Sequence, residues 1–299
     1  MTTLNGSFPP ARGAAPWQPL RDKLAATDAR LYQIVCLATL LTIGVLARDF
    51  SLRPAQMALT FAAGLATQAV FVRLLGLRKV GMLSAVITCF GLSILLRADT
   101  LWAHPLAAFL AIGAKFVIRV NGKHLFNPAN LGVVAGLTLI PGTWISPGQW
   151  GNDLLYAAWF VALGAIVTNR SGRMDISWMF LGCHVALLGA RVLWLGQSGA
   201  IFWHQLHSGA LLLFAFFMIS DPMTIPNHQR ARLLYAALVA AGAFLWQFYL
   251  FKPNALVWAL FLLTPLVPLL DRLWPAQRHD WQHARSAAAK SGVVPSATA

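Results

Sequence analysis

The chain has 299 residues, 58% of them hydrophobic and 11% charged, with a formal net charge of +14. That composition excludes a soluble globular domain and points to a chain with many membrane spans. Its Lys and Arg residues are spread over many loops instead of forming one patch interleaved with aromatics, so nucleic acid is not expected as a partner.

Residues 1–30 read as a cytoplasmic tail. They hold Pro, Gly and charges but no apolar stretch followed by a small-residue cleavage site, so no cleaved signal peptide is expected and the first membrane helix does the targeting. Apolar runs then recur and predict ten spans: Leu31–Ala47, Pro54–Val72, Val80–Leu96, Leu101–Ile118, Pro128–Ile140, Asp153–Thr168, Ile176–Leu195, Ile201–Ile219, Leu233–Leu250 and Asn254–Leu270. Residues 31–274 are thus one polytopic domain, and 275–299 a basic, disordered cytoplasmic tail. The predicted fold class is an all-α integral membrane protein of about ten transmembrane helices, with a short half-helix at an Asn-Pro-Ala motif and an inverted repeat.

Positive charge supports this count. With the N-terminus inside, the inner segments carry Arg12, Arg21, Lys23, Arg30, Arg73, Arg78, Lys79, Lys115, Arg119, Lys123, Arg170, Arg173, Arg230, Arg232 and the basic tail. The outer loops carry only Arg48, Arg53, Arg97 and Lys252. This asymmetry places both termini in the cytoplasm and membrane lipid around the chain.

The fifth span is short: Pro128–Ile140 reaches only about 20 Å at ~1.5 Å per residue, against a hydrocarbon core of ~30 Å. Asn127 followed by Pro128 is a favourable helix start, and the helix would aim its positive dipole end at the cytoplasmic side. A second break, Asp221-Pro222, follows the eighth span on the same side, where Pro226 prevents simple continuation. The two Asx-Pro breaks are expected to face one another across one site, as discontinuous helices do in inverted-repeat folds. Taken one at a time, each also reads as an ordinary cap or turn.

Other polar residues read as structural. Cys36, Cys89 and Cys183 lie in apolar runs without metal or disulfide spacing. Lys115 and Arg191 sit about one turn from span ends and are expected to snorkel. His104 and His124 read as interfacial, and the Trp residues as a headgroup belt. The Ser146–Gly151 turn reads as a lid over the half-helix. His184, with His204 and His207 at i and i+3, leaves open a b-type haem. A passive small-solute channel or transporter is the other open alternative, since broken helices also build pores.

The segments Leu125-Phe126-Asn127-Pro128-Ala129 and Leu206 through Thr224, which contains Ser208-Gly209 and Ser220-Asp221-Pro222-Met223-Thr224, resemble the NqrB/RnfD family of membrane subunits, found in the sodium-translocating NADH:quinone reductase and in the Rnf electron-transport complex. The resemblance implies a flavin-dependent electron-transfer subunit of the bacterial cytoplasmic (inner) membrane. It implies a non-covalent flavin, riboflavin or FMN, near the two breaks, with Asn127, Asn130, Asp221 and Thr224 as the binding residues and no catalytic or metal-ligating residue. An amide suits the carbonyls and ring nitrogens of a flavin, and a helix N-terminus suits a reduced ring. Redox partner subunits or quinone are the implied partners.

Two departures qualify that reading. Relatives in the family attach a second FMN to the Thr of a Ser-Gly-Ala-Thr motif. The loop Pro141–Asn152 lacks the motif, and Ser198-Gly199-Ala200 is followed by Ile201, which has no hydroxyl to esterify, so covalent FMN is not expected. All 9 carboxylates are Asp, none in the middle of a predicted span, which leaves proton or sodium movement without an intramembrane acid. With no GxGxxG between strand and helix and no iron–sulfur cysteine set, the chain needs a separate electron donor.

Overall fold

The computed structural model describes residues 27–47, 53–77, 80–145, 154–206 and 208–279. Helices fall on all the predicted apolar segments: α1 (Ala29–Ala47), α2 (Pro54–Leu74), α3 (Leu83–Leu95), α4 (Ala103–Val117), α5 (Pro128–Leu139), α6 (Leu154–Ser171), α7 (Met174–Trp194), α8 (Gly199–Leu206), α9 (Gly209–Leu213), α10 (Gln229–Phe248), α11 (Ala255–Leu263) and α12 (Leu266–Leu273). Among the described residues four helices, α1, α2, α7 and α10, are long and apolar enough to cross a membrane, or up to six if the bent pairs that begin at Gly199 and Ala255 each count as one. The Asn-Pro-Ala helix α5 is 12 residues, about 18 Å long and shorter than a bilayer core.

Two predicted spans are interrupted. Ile201–Ile219 becomes α8 and α9, the latter running on into a π-helix, Phe214–Met218. The π-turn leaves carbonyls without their usual helical partner, and serines from two directions supply donors: Ser177 Oγ donates to Ala215 O and Ser220 Oγ to Phe216 O, both at 2.6 Å. Asn254–Leu270 bends by 51° between α11 and α12. Pro265 and Pro268 account for that bend, because each removes an N–H from the helical ladder.

Four short strands were not predicted. β1 (Leu96–Ala98) pairs antiparallel with β4 (Thr143–Ile145), closing one end of α5. At its other end β2 (Arg119–Val120) and β3 (Lys123–His124) form a hairpin. Its turn is Asn121-Gly122, with φ of 50° and 78°, the left-handed pair that a two-residue hairpin turn requires.

Large apolar side chains such as Leu46, Leu193, Trp194 and Phe251 face outward, as lipid-facing positions do. Inside, small residues let helix backbones approach, the usual packing of membrane helices. A Cβ on Gly132 of α5 would lie 2.8 Å from Ala111 Cβ and 2.9 Å from Leu92 Cδ2. One on Gly164 of α6 would run into Phe216 Cβ. The cysteines Cys36, Cys89 and Cys183 are free. The Ser146–Gly151 turn, His207 and nearly all of both predicted tails lie outside the described residues.

Gly132→Ala is expected to destabilise the chain by about 1–3 kcal/mol through overpacking, whereas Gly182→Ala, whose Cβ meets nothing within 4 Å, is neutral or stabilising by up to ~1 kcal/mol through helix propensity. Thermal unfolding in detergent, comparing the two variants, checks this pair.

Candidate functional site

The start of α5 is built by Asn127. Its Oδ1 accepts from Asn130 N–H at 3.1 Å, capping the helix, while Pro128 takes the first position, where no N–H is needed. Its Nδ2 donates across the bundle to Met218 O at 3.3 Å and to Asp221 Oδ2 at 3.4 Å. The two Asx-Pro breaks therefore meet, 94 residues apart in sequence.

Asp221 caps its own turn: Oδ1 accepts from Met223 N–H at 3.0 Å, and its backbone carbonyl accepts from Thr224 N–H at 3.1 Å and from the Thr224 hydroxyl at 3.3 Å. His124 Nε2 lies 3.9 Å from Asp221 Oδ2, an ion-pair neighbour too far for a direct hydrogen bond. Burial pushes the Asp221 carboxyl up, but His124, the Met223 amide and the charge of His279 outweigh it and hold the group below the usual carboxylate range. The Asp221 side chain keeps 20% exposure, so it is within reach of a ligand.

Asn130 is 1% exposed. Its Nδ2 donates to Val257 O at 3.2 Å; because a carbonyl can only accept, this fixes the orientation of the amide. Its Oδ1 is left buried without a donor. Such an acceptor calls for an N–H or O–H from a ligand or water. Thr224, by contrast, is buried and bonded within its own turn.

A second polar cluster braces the site. Lys123 Nζ donates to Ile225 O at 2.6 Å, Asn227 Oδ1 at 3.3 Å and Asp271 Oδ2 at 3.0 Å. Asp271 Oδ1 accepts from Asn227 N–H at 2.7 Å. Burial lowers the Lys123 ammonium from its ordinary value, against the pull of Asp271. Beyond it, Arg232 donates to Asn227 O at 2.6 Å and, through Nε and Nη2, to Asp175 Oδ2 at 2.9 and 2.5 Å. The β2–β3 hairpin, the 221–228 loop and the ends of α7, α10 and α12 are thereby tied together. A cleft of roughly 260 Å³, counting space open to solvent, lies here and is lined by Lys123, His124, Thr224, Val267, Pro268 and Asp271 among others.

Three readings are corrected. His124 is not merely interfacial but sits beside Asp221. His104 is buried, with Nδ1 3.0 Å from Thr60 Oγ1, because Thr60 on the neighbouring helix offers a hydroxyl. Lys115 does not snorkel: it is buried, with Nζ donating to Gln68 Oε1 at 2.6 Å and Ser84 Oγ at 2.9 Å. Arg191 donates to Gln197 and stacks 4.4 Å over Phe248, at the span end as expected. Among the described residues no group of three or more His, Cys or Asp side chains could hold a metal. Lys123 and Asp271 were missed; the Asn121-Gly122 turn signal would have exposed the hairpin that presents Lys123.

Replacing Asp271 by Ala strands the Lys123 ammonium and is expected to cost about 3 kcal/mol or more, whereas Lys123→Met with Asp271→Leu recovers much of that loss. Denaturant unfolding of the two variants beside wild type measures the difference.

Residues 147–279 match the family described as NQR2, RnfD, RnfE family. The chain is 36% identical over 128 residues to the D-type subunit of the ion-translocating oxidoreductase complex of Salmonella arizonae. It is 34% identical over 127 residues to the equivalently named subunits from Salmonella paratyphi B and Salmonella newport. Each match covers 41% of this chain, and the chain spans about a third, 34%, of each relative's length. Asp221 and Thr224 lie inside the family match and Asn127 and Asn130 outside it. Residues 147–279, which hold the Asp221-Pro222 segment but not Asn127-Pro128, are thus similar to the NQR2, RnfD, RnfE family.

Proposed function

We propose that this chain is a flavin-dependent electron-transfer subunit of a membrane oxidoreductase complex, holding a non-covalent riboflavin or FMN at the Asn127/Asp221 break and no covalent FMN. The observation that carries the reading is the contact between the two breaks: Asn127 bonds Asp221, and beside them Asn130 presents a buried acceptor that lacks a donor. That set of acceptors suits the N–H and O–H groups of a flavin. Asn130 Oδ1 suits a ring N–H, Asp221 a ring N–H or ribityl hydroxyl, and the α5 N-terminus the negative side of a reduced ring. Thr224 supports the Asp221 turn and orients it. A bound flavin supplies the one- and two-electron chemistry; the protein's part is to orient the ring and set its electrostatics.

The neighbouring cleft touches this site only through Thr224, is not lined by Asn127, Asn130 or Asp221, and is too small to enclose a flavin ring by itself. The remaining faces of the ring are covered by membrane lipid, quinone or a partner subunit, and the donor of electrons is a separate protein. In this reading the chain crosses a bacterial inner membrane about ten times, with α5 as a half-helix, an inverted repeat relating the broken segments, and both termini in the cytoplasm.

The test is to purify the full chain in mild detergent, record its visible spectrum, and precipitate it with acid. Flavin is expected in the supernatant. Asp221→Asn and Asn127→Leu are each expected to weaken flavin retention tenfold or more, in line with the ~1.5–3 kcal/mol of a hydrogen bond to a charged group. Colour held in the pellet overturns the non-covalent assignment, and a Soret band substitutes a haem. A preparation that stays colourless after incubation with riboflavin and FMN overturns the reading in favour of a solute pore.

A further inference from the structure

His124 stands between two environments. On one side it lines the solvent-open cleft beside Lys123, Thr224 and Asp271, and on the other its Nε2 lies 3.9 Å from Asp221 Oδ2. Asp221 is not part of the cleft lining. The imidazole is therefore the group through which the cleft meets the carboxylate that Asn127 bonds.

The β2–β3 hairpin fixes that position. His124 pairs with Arg119 across the ladder, and the N–H of Leu125 donates to Ile118 O at 3.0 Å. A separation of 3.9 Å suits an ion pair and is too long for a direct hydrogen bond, and the His124 side chain keeps 11% exposure, so a proton from the cleft can reach it. Imidazole is the side chain whose ordinary titration falls between pH 5 and 8.

The other charges around the pair have their own places. Lys123 is bonded to Asp271 of α12, Arg119 of β2 donates to Gly122 O, and Arg278 packs against Gly122 of the turn. His279, after α12, is a second titratable group whose charge acts on Asp221.

We propose that His124 is a positioning residue that couples reduction at the Asx-Pro site to proton uptake from the cleft: the His124–Asp221 pair gains one proton when a flavin held by Asp221 gains negative charge. This rests on the flavin reading above. Dithionite, oxidised to sulfite, supplies two electrons, and water supplies one proton to the ring and one, through the cleft, to His124. The negative charge added by reduction is thereby matched by an imidazolium. Asp221, held below the usual carboxylate range, stays ionised and keeps that imidazolium beside the site.

The experiment is a dithionite titration of the full-length, flavin-loaded protein in detergent against reference dyes, repeated from pH 5 to 9, for wild type, His124→Gln, His124→Lys and His279→Gln. Each proton bound with two electrons changes the equilibrium tenfold per pH unit, about 30 mV. Both His124 variants are expected to bind one proton throughout, with His124→Lys at the higher potential because its cation is permanent. Wild type is expected to run with His124→Lys at the acid end and with His124→Gln at the alkaline end, crossing between them near neutral pH with a doubled slope. A merely structural histidine does not produce that crossing. His279→Gln keeps it. Retained flavin with the same slope in wild type and His124→Gln overturns this inference and leaves the flavin reading standing. Should His124→Gln fail to insert, a wild-type profile in His124→Lys overturns it equally. Wild type that takes up no flavin overturns both.

Discussion

A helix that stops inside a bilayer exposes backbone N–H and C=O groups that lipid cannot satisfy, and in this chain the position of each break follows from where a partner was found. Asn127 caps α5 with its own Oδ1 and uses its Nδ2 on Met218 O and Asp221. The π-turn ahead of Asp221 is met by Ser177 and Ser220. Ile225 O takes Lys123, and Asn227 O takes Arg232. At the far end of α5, Gln56 Nε2 donates to Ala98 O and Thr100 O at 2.8 and 3.1 Å, where the chain leaves β1. Broken helices and side-chain donors occur together because neither is tolerable alone.

The same requirement explains where the charges sit. Asp175, Asp221 and Asp271 lie at one end of the bundle, facing Arg232, His124 and Lys123 respectively. Pairs this poorly hydrated add little net stability, since desolvation offsets most of the attraction. Their value is directional: each fixes one loop or helix end at one register, and together they hold the Asp-Pro turn against the Asn-Pro helix start. The basic hairpin turn is part of that arrangement, for Asn121-Gly122 brings Lys123 and His124 back over the 221–228 loop.

Much of this was legible in the sequence because it depends on local signals. Apolar runs located the helices, and Asx-Pro pairs marked both breaks by a mechanism that acts within a few residues. The count of spans was less legible than the positions, because α3, α4 and α5 are too short to be assigned by length alone. Side-chain partners were least legible. Nothing near Lys115 in sequence announces Gln68 and Ser84, 47 and 31 residues away, so a residue one turn from a span end reads as a snorkelling cation when it is in fact a buried one. His104 was misread for the same reason: which way a helical side chain points depends on a neighbour that hydropathy averages out.

The Asn127–Asp221 bond also bears on how the two parts of the chain depend on each other. The family match begins at residue 147 and so includes Asp221 but not Asn127; the link between them rests on contact, not on similarity. A bond of 3.4 Å is weak taken alone, yet Asn127 cannot swing away without uncapping α5, and Asp221 cannot without giving up the Met223 amide. Each partner is thus held by a local bond that the other does not make, and the contact is preorganised at little entropic cost. A change in either half of the chain therefore alters the contact for both.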